Sequence, residues 1–229
     1  MKLSSGSIEL LKWLAVISMT ADHINKYLFN ASLPLLFEFG RLALPIFIFV
    51  LAYNLSREGA LERGTYKRAE IHLFIFAVIA SIPYILMSGY TIKILPLNIL
   101  FTLLATTLVI ENLDKRRMET VFAAVVIFII SGYFVEYWWP AMGMGVFAWA
   151  YFKFKKAYYL ALTLVFCLSL YFVNGNFWAL ASLPIVYIFT KLNVNVPRLK
   201  WIFYVYYPLH LFAFYLIRIP LKKAGYLFF

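Results

Sequence analysis

A single cysteine, Cys167, in 229 residues rules out an intrachain disulfide and a cysteine-based metal site. Its place inside an apolar run points to packing and not to a reactive thiol. Charge is also scarce: Asp, Glu, Lys and Arg together make up 14% of the chain, and only 10 residues are acidic. No stretch is polar enough to form a soluble domain, and there is no internal repeat and no low-complexity tract. The missing inverted repeat counts against a transporter built from two matched halves. The basic excess, a formal net charge of +11, would suit a nucleic-acid binder if it were gathered on a polar domain. Here the Lys and Arg residues are scattered between apolar runs, which excludes a nucleic-acid partner and makes them topology signals.

What the chain has in abundance is apolar surface: 64% of its residues are hydrophobic and 20% aromatic, with a mean hydropathy of +0.83. Soluble domains hold about 45–50% apolar residues. The expected fold class is therefore all-α, a polytopic helical bundle embedded in membrane lipid. Apolar runs fall near 8–29, 37–55, 70–89, 94–110, 120–135, 140–152, 157–173, 176–190 and 201–218. They predict about nine transmembrane helices, within a range of about eight to ten, since a full span takes about 17–25 residues and the runs near 140 and 176 are shorter. One of those two is a candidate for a re-entrant segment. The leading MKLSSGS is too short for a cleaved signal, and the first apolar run is predicted to stay as a membrane helix.

Orientation follows from the loops that carry Lys and Arg. Arg57, Arg63, Lys67 and Arg68 share one loop; Lys115, Arg116 and Arg117, then Lys153, Lys155 and Lys156, then Lys191, Arg198 and Lys200 occupy alternate ones. The intervening loops NASLP, SGYTIKILP, VEYWWP and VNGN carry one Lys, Lys93, between them. This places the N-terminus inside and those four loops outside, with Lys222 and Lys223 as a local exception.

The first apolar segment, IELLKWLAVISMTADHINKYLF, carries Asp22 and His23 into the hydrocarbon region. Ionisable groups survive there by facing other helices or water, where they are paired and functional. The predicted topology brings several polar residues toward the same outer side: Asp22 and His23, Glu38 and Arg41, Asn98, and Glu136, with His210 near mid-depth of the last span. A shared outer pocket is the expectation.

The order ADHIN, GRLALPIF, TYKRAEIHLFIFAVIASIPYIL, LNILFTLL and YVYYPLHL resembles the TraX family, whose named member is the F-pilin acetylase of conjugation systems. The resemblance runs over nearly the whole chain, and that family is in turn similar to multispan membrane acyltransferases that use acetyl-CoA. It implies one acyltransferase-like transmembrane domain over 1–229, in a bacterial cytoplasmic membrane. It further implies transfer of an acyl group from cytosolic acyl-CoA, acetyl-CoA by analogy, to an extracytoplasmic amine or hydroxyl on an exported peptide, a pilin N-terminus or a surface glycan.

Acyl transfer needs a base for the attacking amine or hydroxyl, and an imidazole is the usual side chain. His23 is the candidate base. Asp22 is the candidate to orient it or to hold the acceptor, although adjacent helix residues point about 100° apart, which favours pairing of Asp22 with Arg41. Arg41 or Asn98 would donate to the developing oxyanion. Asn98, Glu136, Tyr207 and His210 are the expected substrate contacts, and Arg57, Arg63, Lys67 and Arg68 the expected holders of the CoA phosphates. His72, beside the basic loop, reads as an interfacial anchor, Pro45 as a kink in the second span, and Trp138 and Trp139 as an aromatic belt. No metal is expected. The alternative reading is a small proton-coupled transporter or channel built on Asp22, His23 and Arg41.

Overall fold

A chain in lipid must satisfy its backbone hydrogen bonds internally, which leaves the α-helix as the economical solution for apolar runs of this length. The computed structural model, which describes residues 3–87, 94–199 and 201–228, is all-helical and bears out that fold class. Nine helices follow one another among the described residues: α1 (Ser5–Leu28), α2 (Pro34–Leu55), α3 (Thr65–Leu86), α4 (Ile99–Asp114), α5 (Met118–Phe134), α6 (Trp138–Phe154), α7 (Ala157–Asn174), α8 (Trp178–Lys191) and α9 (Ile202–Lys223). No strand forms among the described residues beyond an isolated bridge between Leu97 and Val135. Lys93 and Lys200, used above as topology signals, lie outside the described residues.

Among the described residues, four helices are long and apolar enough to cross a membrane: α2, α3, α7 and α9. The first helix is not among them, contrary to the weight the sequence placed on it. It has the length, 24 residues, but carries Glu9, Lys12, Asp22 and Lys26. Of these, Glu9 and Lys12 pair at 2.5 Å, and Asp22 pairs with Arg41 at 2.5 Å. Pairing of this kind is what allows charged groups to persist in an apolar setting.

The chain divides into two compact units. The first comprises Met1–Phe47, Val78–Ile94 and Trp178–Phe229, and the second Ile48–Ala77 and Leu95–Phe177. In the first unit, α1 starts at a serine cap, with Ser4 accepting from the Ser7 amide at 3.0 Å, and the Ser7 hydroxyl donates to the Leu192 carbonyl at 2.5 Å. The helix then packs along α9. Trp13 meets Phe203 edge-on at 5.3 Å, Thr20 meets Tyr206, His23 meets His210, and Tyr27 lies 6.4 Å from Phe214. Both numbers rise together along the seam, so α1 and α9 run parallel.

The second helix returns antiparallel to α1 and breaks at Arg41 and Leu42. Pro45 supplies the reason: lacking an amide hydrogen, it cannot donate to the Arg41 carbonyl, which frees that turn from the helix. The predicted kink at this proline is present, and it projects Arg41 toward α1.

In the second unit, α6 is the centre. Met142, Met144 and Trp149 of α6 are buried, as are Ala141, Ala148 and Ala150. A helix buried all round needs small residues where neighbours approach. Gly145 shows why: a Cβ there would lie 2.5 Å from Cγ2 of Thr106 on α4. The run near 140, short enough by hydropathy to suggest a re-entrant segment, is thus a regular 17-residue helix. Around it, Phe152 takes edge-on contacts from Phe49 and Tyr53, at 5.1 and 5.5 Å. Asp114 accepts hydrogen bonds from Lys153 and from the Tyr66 hydroxyl.

Candidate functional site

The polar groups of the first unit meet at the α1–α9 seam. His23 Nδ1 lies 2.7 Å from His210 Nε2, with the two rings stacked at 4.9 Å and 3° apart. His210 Nδ1 in turn lies 2.9 Å from the Tyr206 carbonyl oxygen. A carbonyl only accepts, so His210 Nδ1 carries the proton of that bond. With both rings neutral, His210 Nε2 is then an acceptor and His23 Nδ1 the donor to it. This order of donors leaves the lone pair of His23 on Nε2, which has no hydrogen-bond partner among the described residues.

Aromatic rings fix the pair in place. Tyr206 stacks on His210 at 5.0 Å, and Tyr207 meets it edge-on at 5.5 Å. Tyr27 and Phe214 approach His23 and His210 at 5.4 and 5.7 Å. His210 and Tyr207 are buried, at 7% and 4% exposure. Tyr206 also ties the two helices together: Thr20 donates its hydroxyl to the Val16 carbonyl at 2.7 Å, which leaves Tyr206 to donate to Thr20 at 2.8 Å.

Asp22 does not hydrogen-bond to His23. One residue along a helix turns about 100°, and the carboxylate faces α2 instead, where Arg41 Nη2 donates to Oδ2 at 2.5 Å. Arg41 Nε donates to the Phe37 carbonyl at 3.2 Å, and the guanidinium lies 4.3 Å over the Phe37 ring. Asp22 Oδ1 has no hydrogen-bond partner among the described residues. The helices approach closely enough for this only because position 40 is glycine. A Cβ there would sit 2.4 Å from Asp22 Cβ. Ser18 donates its hydroxyl to the Phe39 carbonyl, and Asn25 Oδ1 accepts from the Leu33 amide at 2.8 Å, holding both ends of the α1–α2 turn.

The first unit therefore brings together Asp22, His23, Arg41, Tyr207 and His210. The remaining predicted residues belong to the second unit. Asn98 caps α4, with Oδ1 accepting from the Leu100 amide at 3.1 Å and Nδ2 donating to the Ala77 carbonyl at 3.0 Å. Glu136 is held through its backbone, its carbonyl accepting from the Thr102 hydroxyl at 2.9 Å. Arg57, Arg63, Lys67 and Arg68 are all exposed, with Arg63 donating to the Glu58 carbonyl and Arg57 lying 5.7 Å from the Tyr53 ring. Cys167 is buried, and Trp138 and Trp139 are exposed.

Sequence reading missed Ser18, Thr20, Asn25, Gly40 and Tyr206. Three of these stand in the motifs ADHIN, GRLALPIF and YYPLHL, and Tyr206 precedes His210 by one helical turn, a spacing that offers its carbonyl to the ring.

The chain is thus an all-helical, apolar membrane protein that holds a His–His pair beside a carboxylate–guanidinium pair. The chain belongs to the TraX family, whose model, described as TraX protein, matches residues 7–218. It is 38% identical over 74 residues to an uncharacterized protein of Rickettsia prowazekii (strain Madrid E). That match covers 32% of this chain and spans about a quarter, 25%, of the relative's length. No solved structure matches it.

Proposed function

We propose that the protein is an acyl-CoA-dependent membrane acyltransferase, with acetyl-CoA as donor, in which His23 is the general base. The observation that carries this reading is the bond from His23 Nδ1 to His210 Nε2, which leaves His23 Nε2 as a lone pair at the seam. The acceptor's amine or hydroxyl attacks the thioester carbon as its proton passes to His23 Nε2. The C–S bond breaks, and the CoA thiolate recovers the proton from the imidazolium. Asp22 Oδ1 is available to hold the acceptor, and the Arg41 guanidinium adds positive charge beside the developing oxyanion. Arg57 and Arg63, exposed on the loop before α3, and Lys67 and Arg68, exposed in the first turn of α3, offer charge for the CoA phosphates.

Purified protein in detergent, given acetyl-CoA labelled in the acetyl group, should bind it and release CoA slowly even without acceptor. A proton-coupled transporter using Asp22, His23 and Arg41 would do neither, and that outcome would sink the proposal. We place the protein in the bacterial cytoplasmic membrane, with an exported peptide or surface glycan as acceptor. A cysteine introduced at 173–176 should react with an impermeant reagent added outside cells, and one in the loop of Arg57 should not. The reverse pattern would put the acceptor on the cytosolic side.

A further inference from the structure

The face of α9 that carries His210 continues past Phe214 to Arg218, eight positions on, which is about 12 Å along the helix axis. Phe214 touches both His210 and Tyr27, so one side of the α1–α9 seam leads from the histidine pair to this guanidinium. Arg218 is 4% exposed. Its Nη1 donates to the Met87 carbonyl at 3.0 Å, just past the end of α3, and its guanidinium lies 4.4 Å over the Phe228 ring. A guanidinium has five N–H donors, and the Met87 bond uses one. Nε is buried with no hydrogen-bond partner, and no carboxylate pairs with Arg218 among the described residues.

The geometry of what remains is specific. The Nε and Nη2 hydrogens point along one edge of the guanidinium, the edge that takes a carboxylate or phosphate through two parallel bonds, whereas the bond to Met87 uses the other nitrogen. A buried guanidinium with no anion is costly in an apolar setting. The helix-end carbonyl and the aromatic ring offset part of that cost and leave the buried Nε of the forked edge without a hydrogen-bond partner.

We propose that the Nε–Nη2 edge of Arg218 binds an oxyanion, carboxylate or phosphate, carried by the acyl acceptor. The acceptor class is then an amine or hydroxyl compound with an anionic group about 12 Å from the atom that is acylated, the separation of His210 and Arg218 along α9. The assignment of the anion to the acceptor rests on the acyl-transfer reading. The oxyanion site itself does not.

The test uses the full chain, purified in neutral detergent, with 11-aminoundecanoic acid, its carboxamide and the shorter 4-aminobutanoic acid as probes. Binding is read by calorimetry, and transfer separately from acetyl-CoA consumption. Wild type should bind the long acid at least about tenfold more tightly than its amide, a difference that one forked ion pair supplies. The short acid should lack the advantage. Arg218→Gln should bind acid and amide alike, and Arg218→Lys, which keeps the charge without the fork, should retain part of the preference and covers the case in which the Gln variant does not fold. Equal binding of acid and amide by wild type, or a preference that survives in both variants, would overturn the proposal. In nanodiscs, competition by phosphatidylglycerol that requires Arg218 would assign the oxyanion to a lipid headgroup and overturn its assignment to the acceptor. Selective binding without any acetyl transfer would instead count against the acyl-transfer reading alone.

Discussion

Asp22–Arg41 in the first unit and Asp114–Lys153 in the second each join a carboxylate to a cation from another helix, and the two pairs are built differently. In the second unit, both oxygens of Asp114 are engaged, one by Lys153 and the other by the Tyr66 hydroxyl. In the first, Asp22 commits Oδ2 to Arg41 and leaves Oδ1 without a hydrogen bond among the described residues, next to a histidine pair whose outer nitrogen is also unspent. A pair with every lone pair satisfied holds helices together. One that keeps acceptors in reserve, at a buried seam, has the makings of a reaction centre.

The largest test of this contrast is His23→Ala. Removing the base should lower acyl transfer by about 10² to 10⁴, the usual span for general-base catalysis, while the protein remains folded and still binds CoA. Rates of CoA release by the purified variant, at matched expression, decide it. Full turnover would remove His23 as the base and shift attention to His210.

Next comes the pair of carboxylates themselves. Asp22→Asn and Asp114→Asn each leave a cation without its partner, a loss of about 3–5 kcal/mol for a buried pair, so both should lower Tm. Only Asp22→Asn should also lower acyl transfer, and less completely than His23→Ala, because the carboxylate acts on the same step at one remove. Equal effects of the two substitutions on specific activity would erase the distinction between the units.

These two pairs also mark what could be read from the sequence. The helical class follows from composition, and the nine apolar runs map one to one onto α1–α9, because hydropathy is a local property. Pairing of Asp22 with Arg41 was legible too: the two stand 19 residues apart on consecutive helices, and helix periodicity denies Asp22 its neighbour. The His23–His210 bond was not, since it joins residues 187 apart through a parallel packing of first and last helices that no local pattern encodes. The same limit hid the role of α6, whose glycines and alanines lower its hydropathy and at the same time let α4 approach it.

A finer test addresses how the base is oriented. His210 serves His23 as an acceptor at Nε2, a function that the carbonyl oxygen of glutamine can imitate and alanine cannot. His210→Ala should therefore lower kcat by about tenfold, the worth of one good hydrogen bond, with KM for acyl-CoA little changed. His210→Gln should recover much of the loss. Equal activity of the two variants would mean that His210 fills space beside His23 and does not set its tautomer.

The smallest effects expected come from two glycines that make the same kind of close approach in the two units. A Cβ at Gly40 would lie 2.4 Å from Asp22 Cβ, and one at Gly145 would lie 2.5 Å from Thr106 Cγ2, so either alanine forces its helix pair apart by a few tenths of an ångström or more. Overpacking of this kind costs about 1–3 kcal/mol, and both variants should lose Tm by similar amounts. Their activities should part company. Gly145→Ala disturbs α4 against α6, whereas Gly40→Ala pushes on the carboxylate that Arg41 holds and on the helix turn that carries His23. Turnover corrected for the folded fraction should stay near wild type in Gly145→Ala and fall severalfold in Gly40→Ala. A matched fall in both would show that activity tracks helix packing in general, and would leave the Asp22–Arg41 pair no closer to the chemistry than Asp114–Lys153.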